Sequence, residues 1–267
     1  MLFRSAGKEA FTEEEAAVYE KQSQAQDEVL RRQLGDIVWL ERSHIVKTRR
    51  TSLIIDPPDG RMPPLTPEAK KRFDAAHDWA RLHPADGPED RELPERCLLF
   101  GGMGPPMLPE GYGNNYQIIQ SPGYVALISE MVHDVRLIPL DARPRLPGAI
   151  RHWNGDSRGH WEGDTLVVET TNLAFNGKNR FGLLYDGWSD EHLRVTERFT
   201  RSDPDTIIYR ATVDDPSVYT RPWTVEMSMT RHVKPLLEYA CHEGNYGLAN
   251  ILSGTRAEER QTTSVPK

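Results

Sequence analysis

The chain has 267 residues, 37% of them hydrophobic and 27% charged, with a formal net charge of -7. That is enough apolar material for one sizeable core. The acidic balance, without a lysine-rich block, speaks against nucleic acid, because phosphate neutralisation needs clustered cations. No apolar run approaches the roughly 20 residues of a membrane helix, so no span is expected. The opening MLFRSAGKEAFTEEE lacks the apolar centre of a signal peptide. It points to the cytoplasm, with export after removal of a leader as the alternative. The two cysteines, Cys97 and Cys241, are too few for a disulfide framework and lack zinc-knuckle spacing. Two free buried thiols are expected, a Cys97–Cys241 bridge being the alternative.

Residues 1–50 read as an N-terminal helical arm. Residues 12–34 are rich in Glu, Gln and Ala, without Gly or Pro, and Thr12 and Glu15 stand at capping-box spacing. The apolar positions Ala16, Val18, Tyr19, Val29, Leu30 and Leu34 are sparse. They suit an exposed arm or a helix through which two copies form a homodimer.

Residues 51–267 read as a single β-rich domain. TSLIIDPPDGRMPP predicts a strand and a turn at residues 57–60. Thr66-Pro67-Glu68 then starts a helix over 66–83, with Thr66 as N-cap and proline in the first turn. His77 and His83 on that helix read as surface residues. The Pro- and Gly-rich connector 84–113 is anchored by Cys97, Leu98, Leu99, Phe100, Met103 and Met107. It reads as a loop packed over the body, or a lid.

From residue 114 short strands alternate with turn signals: NNYQIIQ, then YVALISEMVHDVRLIPLD as one long strand, then TLVVETTN, HLRVTERFTR, TIIYRATVDD, WTVEMSMTR and LLEYACHEGN. YGLANILSGTRAEER closes the chain as a helix. Strands at this spacing without intervening helices predict a mainly β fold with helical arms. The expected architecture is an antiparallel β-barrel-like (calycin/lipocalin-like) domain around an apolar hollow. A Rossmann fingerprint and a P-loop are both missing, and no cofactor is expected.

The segments GDSRGHWEGDTLVVETTN and YACHEGN, with NNYQIIQSPGYVALISEMVHDVRLIPLD and LRVTERFTRSDPDTIIYRATVDDP, resemble an uncharacterised family of bacterial proteins. Many of its members are predicted to be exported. The resemblance spans residues 52–259 and implies one domain with a shared site, without naming a chemistry. The inserted LAFNGKNRFGLLYDGWSDE is expected to shape one wall of that site.

Candidate chemistry concentrates in 151–172, where Arg151, Trp153 and Trp161 precede the apolar strand that ends in Glu169. In the long strand, period two puts Asp134 and Arg136 on one face and His133 on the other. Either His133 is an interior imidazole or Asp134 and Arg136 form an interior ion pair, since each placement needs partners. His242 is a second imidazole suited to proton transfer near neutral pH. Glu197, like Glu169, is a carboxylate on an otherwise apolar strand face, to be paired with Arg151, Arg158, Arg210 or Arg221, or kept as an acid/base. Tyr209, Trp223 and Tyr239 complete an aromatic wall. The expected catalytic set is His133, His242, Glu169, Asp134 and Arg151. Substrate-binding residues are Arg136, Trp153, Trp161, Glu197, Tyr209, Trp223 and Tyr239.

The expected function is a cofactor-independent acid/base enzyme: an isomerase, dehydratase or cyclase. Its substrate is a small hydrophobic terpenoid-, steroid- or polyketide-like molecule. The alternatives are a non-catalytic carrier of such a ligand, or a metal-dependent lyase or hydrolase built on His152 and His160.

Overall fold

The computed structural model describes residues 8–34, 49–110, 113–174 and 192–263. Residues 175–191, most of the insert expected to form a wall, lie outside the described residues. Helix α1 (Glu13–Leu34) carries the expected reciprocal cap. Thr12 Oγ1 accepts from the Glu15 amide at 3.3 Å, and Glu15 Oε2 accepts from the Thr12 amide at 2.8 Å. Backbone bonds tie its base to the body, from Phe11 N–H to Arg49 O and from Thr51 N–H to Glu9 O. Ala16 is buried there, whereas Val18 and Val29 are exposed, as the sparse pattern requires. After β1 (Ile54–Asp56), helix α2 (Pro67–Leu82) starts at the Thr66 cap, whose side chain accepts from Ala69 N–H at 3.1 Å. Ala69 is its one buried residue, so α2 lies on the surface, with His77 beside Phe73 and His83 stacked on Trp79.

Two antiparallel sheets follow. β2 (Tyr116–Ser121), β3 (Tyr124–Ser129) and β4 (Val135–Pro139) form a three-stranded sheet. β5 (Asp156–Glu162), β6 (Thr165–Thr171), β7 (Arg194–Asp203), β8 (Thr206–Asp214) and β9 (Trp223–Thr230) form a meander, which β1 extends beyond β9. Helix α3 (Tyr246–Thr263) comes last. The expected barrel closure is not found among the described residues. β1 and β5 bound the larger sheet, and β2 and β4 bound the smaller.

The inner faces share one core, to which β3 and β4 bring Leu127 and Ile138 and the large sheet brings Val168, Val195, Tyr209 and Trp223. Tyr209 and Trp223 have no exposed surface, so these two expected walls of a hollow are packed interior. The connector 84–113 explains the difference. It sends Met103, Met107 and Leu108 into the same core, so it is structural filling where a lid was one expectation.

The segment read as one long strand is two. β3 ends at Ser129, a single 3₁₀ turn (Met131–His133) reverses the chain, and β4 returns beside β3. Ser129 N–H donates to Asp134 O at 2.9 Å, Ser129 Oγ accepts from Met131 N–H, and Val132 and His133 both sit at φ +51°. The turn has no Gly, Pro or Asn, so ordinary turn chemistry does not announce it. LLEYACHEGN likewise forms no strand, and its end, residues 241–244, is a turn.

That turn carries a second correction. Cys97 and Cys241 are joined by a disulfide across a sequence separation of 144, with Cα atoms 5.6 Å apart. It fastens the connector to the segment leading into α3, and Asn245 Nδ2 adds a bond to Glu95 O at 3.0 Å. A bridge closing so long a loop typically contributes about 2–5 kcal/mol. The double variant C97S/C241S is therefore expected to unfold at a clearly lower urea midpoint. A dithiol reductant should bring the native chain to the same midpoint and leave the variant unmoved.

A candidate cleft between two unpaired strands

β4 and β5 lie side by side, yet no strand pairing joins them. They touch at Gly159, where a Cβ would stand 2.8 Å from Ile138 and 2.9 Å from Leu140. A side chain there would have to push the Ile138 and Leu140 methyl groups aside. Near the beginning of both strands a cleft of about 280 Å³ opens. Its apolar wall is Leu98, Val135, Leu137 and Trp153, and its polar groups are Asp134, Arg136, His152, Asn154 and Ser157. Leu98, Val135 and Leu137 are 40%, 50% and 57% exposed, an unusual concentration of accessible aliphatic surface.

The local sequence places each group. Arg136 and Ile138 point inward along β4, which turns Val135 and Leu137 outward. Asp134 closes the preceding turn, its Oδ1 accepting from Val135 N–H at 3.1 Å. His152 is anchored by its backbone: its N–H donates to Asn172 O, and its carbonyl accepts from Gly155 and Ala174. Gly155 sits at φ +71°, where a Cβ would lie 2.5 Å from Thr170 Cγ2. The Trp-Asn-Gly turn thus brings Trp153 and Asn154 to the cleft before β5 begins.

A buried polar network lies at the floor. Arg136 Nη1 donates to Glu197 Oε1 at 3.1 Å and to Met103 O at 3.3 Å, and Nη2 donates to Glu197 Oε2. Nη2 also reaches Ser157 Oγ and Thr170 Oγ1, each at 3.4 Å. The Tyr209 hydroxyl donates to Glu197 Oε1 at 2.8 Å and accepts from Met107 N–H at 2.8 Å. Burial opposes the Arg136 charge, but the Glu197 carboxylate outweighs it and holds the guanidinium above its ordinary value. Burial, then the same carboxylate, pushes the Tyr209 hydroxyl well up, so it stays a protonated donor.

The expected site residues fare unequally. Asp134, Arg136 and Trp153 meet in the cleft, and Glu197 and Tyr209 stand behind Arg136. The interior ion pair exists, but Arg136 chooses Glu197 where Asp134 was expected. His133 and His242 are exposed on turns, because the strands assumed to carry them do not form there. Glu169 is half exposed on the outer face and pairs with Arg145 at 2.8 Å. Of its expected partners, Arg158 pairs with Asp156, Arg210 with Glu226 and Arg221 with Asp56. Arg151 donates from Nε to Gly148 O, outside the cleft lining. Trp161 is exposed at the far end of β5, Trp223 is core, and Tyr239 is half-buried. His160 bonds Glu162 and does not converge with His152. Among the described residues no three His, Cys, Asp or Glu side chains form a metal-holding group. Nor is any helix there long and apolar enough to cross a membrane.

Leu98, Val135, Leu137, Asn154 and Ser157 were not expected as site residues from the sequence. Asn154-Gly155 is a turn signal visible in the sequence, but the aliphatic wall depends on where β4 begins. Among the described residues, fold and site together define a mostly β protein of two antiparallel sheets with a cleft at a strand junction. Comparison with family models, with curated proteins and with solved structures finds no match to the chain.

Removing one member of the Arg136–Glu197 pair leaves a buried charge uncompensated, at a cost of about 3–5 kcal/mol. Glu197→Leu is expected to lose about that much by urea unfolding, and the double variant Arg136→Met/Glu197→Leu to recover most of it. Glu110, half-buried beyond the cleft lining, supplies a pH test. Burial pushes its carboxyl up to about 7 from the ordinary 4.5. The folded chain then holds that proton more tightly than the unfolded one. Its stabilising contribution is complete below 4.5 and is lost as pH rises towards about 7. Between pH 5 and 8 the native chain should lose stability relative to Glu110→Gln, and a pH-independent difference would refute the assignment.

Proposed function

We propose that the chain takes a small, largely apolar molecule into the β4–β5 cleft and performs cofactor-independent acid/base chemistry on it. The reaction class is isomerisation, dehydration or cyclisation of a terpenoid-, steroid- or polyketide-like compound. The supporting observation is the meeting of Asp134 and His152 with the aliphatic wall of Leu98, Val135 and Leu137. An imidazole exchanges protons near neutral pH, and a neighbouring carboxylate can orient it or share the transfer. His152 is exposed like His133 and His242, but it alone of the three lines the cleft, and it takes the role first given to them. A cleft of about 280 Å³ lies just below the usual size of ligand sites, about 300–1,000 Å³. That favours a monoterpenoid-sized molecule, or one end of a longer one, over an enclosed steroid.

One observation favours a carrier instead. Arg136, the cation at the floor, is neutralised by Glu197 and held by Met103 O, so little of its charge remains for a developing anion. The disulfide in turn supports an oxidising, extracytoplasmic setting over the cytoplasm.

The neutral fluorophore N-phenyl-1-naphthylamine reports occupancy, and mass spectrometry of a terpenoid, steroid and polyketide panel reports turnover. His152→Ala and Asp134→Asn should each cut turnover by about 100-fold or more while keeping fluorophore binding. Binding without turnover by the native chain at any pH would leave the carrier. Absence of binding would sink the cleft itself.

A further inference from the structure

We infer that residues 237–241 form a strap that sets the cleft wall, so that reducing the Cys97–Cys241 bond switches ligand binding off. This rests on the proposed uptake of a small apolar molecule at the cleft. The strap is fixed at both ends to residues beside the cleft lining. At one end Leu237 N–H donates to Glu130 Oε2 at 2.9 Å, and Oε1 of the same buried carboxylate accepts from Asn115 Nδ2 at 3.2 Å. Glu130 directly precedes the 3₁₀ turn that leads to Asp134 and Val135 of the cleft. At the other end Cys241 is bonded to Cys97, whose chain neighbour Leu98 belongs to the aliphatic wall. The strap thus ties the connector to the β3–β4 turn, the two elements that bring Leu98 and Val135 to the cleft.

The backbone around Cys97 makes Leu98 sensitive to that bond. Cys97 N–H donates to Pro94 O at 3.1 Å and Leu98 N–H donates to Leu93 O at 3.0 Å. These bonds close a Schellman-type turn, whose left-handed position usually falls to glycine. Cys97 occupies it at φ +55°. A side chain makes that conformation costly, and the cross-link holds the cysteine in it from outside the turn. Once the bond is broken, Cys97 returns to negative φ and the rotation carries Leu98 with it. Leu98 is 40% exposed, so little packing resists the move. The bond from Asn245 Nδ2 to Glu95 O involves neither sulfur, so reduction frees Cys97 without detaching the segment that leads into α3.

The reductant is a dithiol. One of its thiolates attacks Cys241, the less buried of the two cysteines, and Cys97 leaves as a thiolate that takes up a proton. The second thiol then closes on the first and releases Cys241. The dithiol gives up two electrons and becomes a disulfide, and both cysteines end as thiols.

The affinity of N-phenyl-1-naphthylamine is measured on the oxidised chain, on the chain reduced with dithiothreitol, and on Leu98→Ala in both states. Thiol alkylation reports reduction, and far-ultraviolet circular dichroism reports folding. Reduction should weaken binding about tenfold, the scale of one lost aliphatic contact, and reoxidation should restore it. Leu98→Ala should bind weakly from the start and lose nothing further, because the bond acts through a side chain no longer present. A bond serving stability alone would leave the native affinity unchanged. Equal affinity in the two redox states overturns the switch and leaves uptake standing. An equal loss in Leu98→Ala overturns it too, as does a reduced chain that unfolds, since the bond then holds the fold and not the cleft. If the oxidised native chain fails to bind the fluorophore, uptake falls and the switch falls with it.

Discussion

A guanidinium and a carboxylate buried face to face set the terms for this fold. Removing an ion from water costs several kcal/mol, so Arg136 and Glu197 are tolerable inside only together and with most of their remaining valences met. Meeting them takes six parts of the chain at once: β4 supplies the arginine, β7 the glutamate, β8 the Tyr209 hydroxyl, β5 and β6 the Ser157 and Thr170 hydroxyls, and the connector the Met103 carbonyl. A one-residue slip of β7 would turn Glu197 outward with Val195 and Phe199 and strand the arginine. The pair therefore fixes register as well as joining the two sheets.

The cleft follows from the same placement. With Arg136 drawn inward, Val135 and Leu137 must face out, and their 50% and 57% exposure is the consequence. Gly159 pinches β4 and β5 together at one point, and the Trp-Asn-Gly turn occupies the edge where they part. Two strand edges that do not pair usually need cover or charge. Here Asp134, His152 and Asn154 gather at that edge, so the place where sheet continuity fails is also where polar chemistry meets aliphatic surface.

Much of the architecture was legible residue by residue. Thr12 and Glu15 announced α1, Thr66-Pro67 announced α2, and the alternation of Val195, Glu197 and Phe199 against Arg194, Thr196 and Arg198 announced the inner and outer faces of β7. Local rules suffice there because a cap or a strand face is decided by residues a few positions apart. They fail at Ser129–Asp134, where a serine hydroxyl and backbone bonds reverse the chain without Gly, Pro or Asn, and that failure misplaced His133. They fail again for Glu169 and Glu197. Ion pairing was the right expectation for both, but nothing local could choose Arg145 and Arg136 from so many arginines.

The amino-acid order by itself determined a β-rich chain flanked by helices, the strands from β6 to β9, and the carboxylate of Glu197 on the apolar face of β7. Tertiary structure alone decided that the interior would be filled, that Cys97 would find Cys241, and that a cleft lined by polar side chains would open between β4 and β5. The physical reason is distance along the chain. Periodicity and capping act over a few residues, whereas the disulfide spans 144 positions and the Arg136–Glu197 bond 61, and only the packed fold brings such partners into contact.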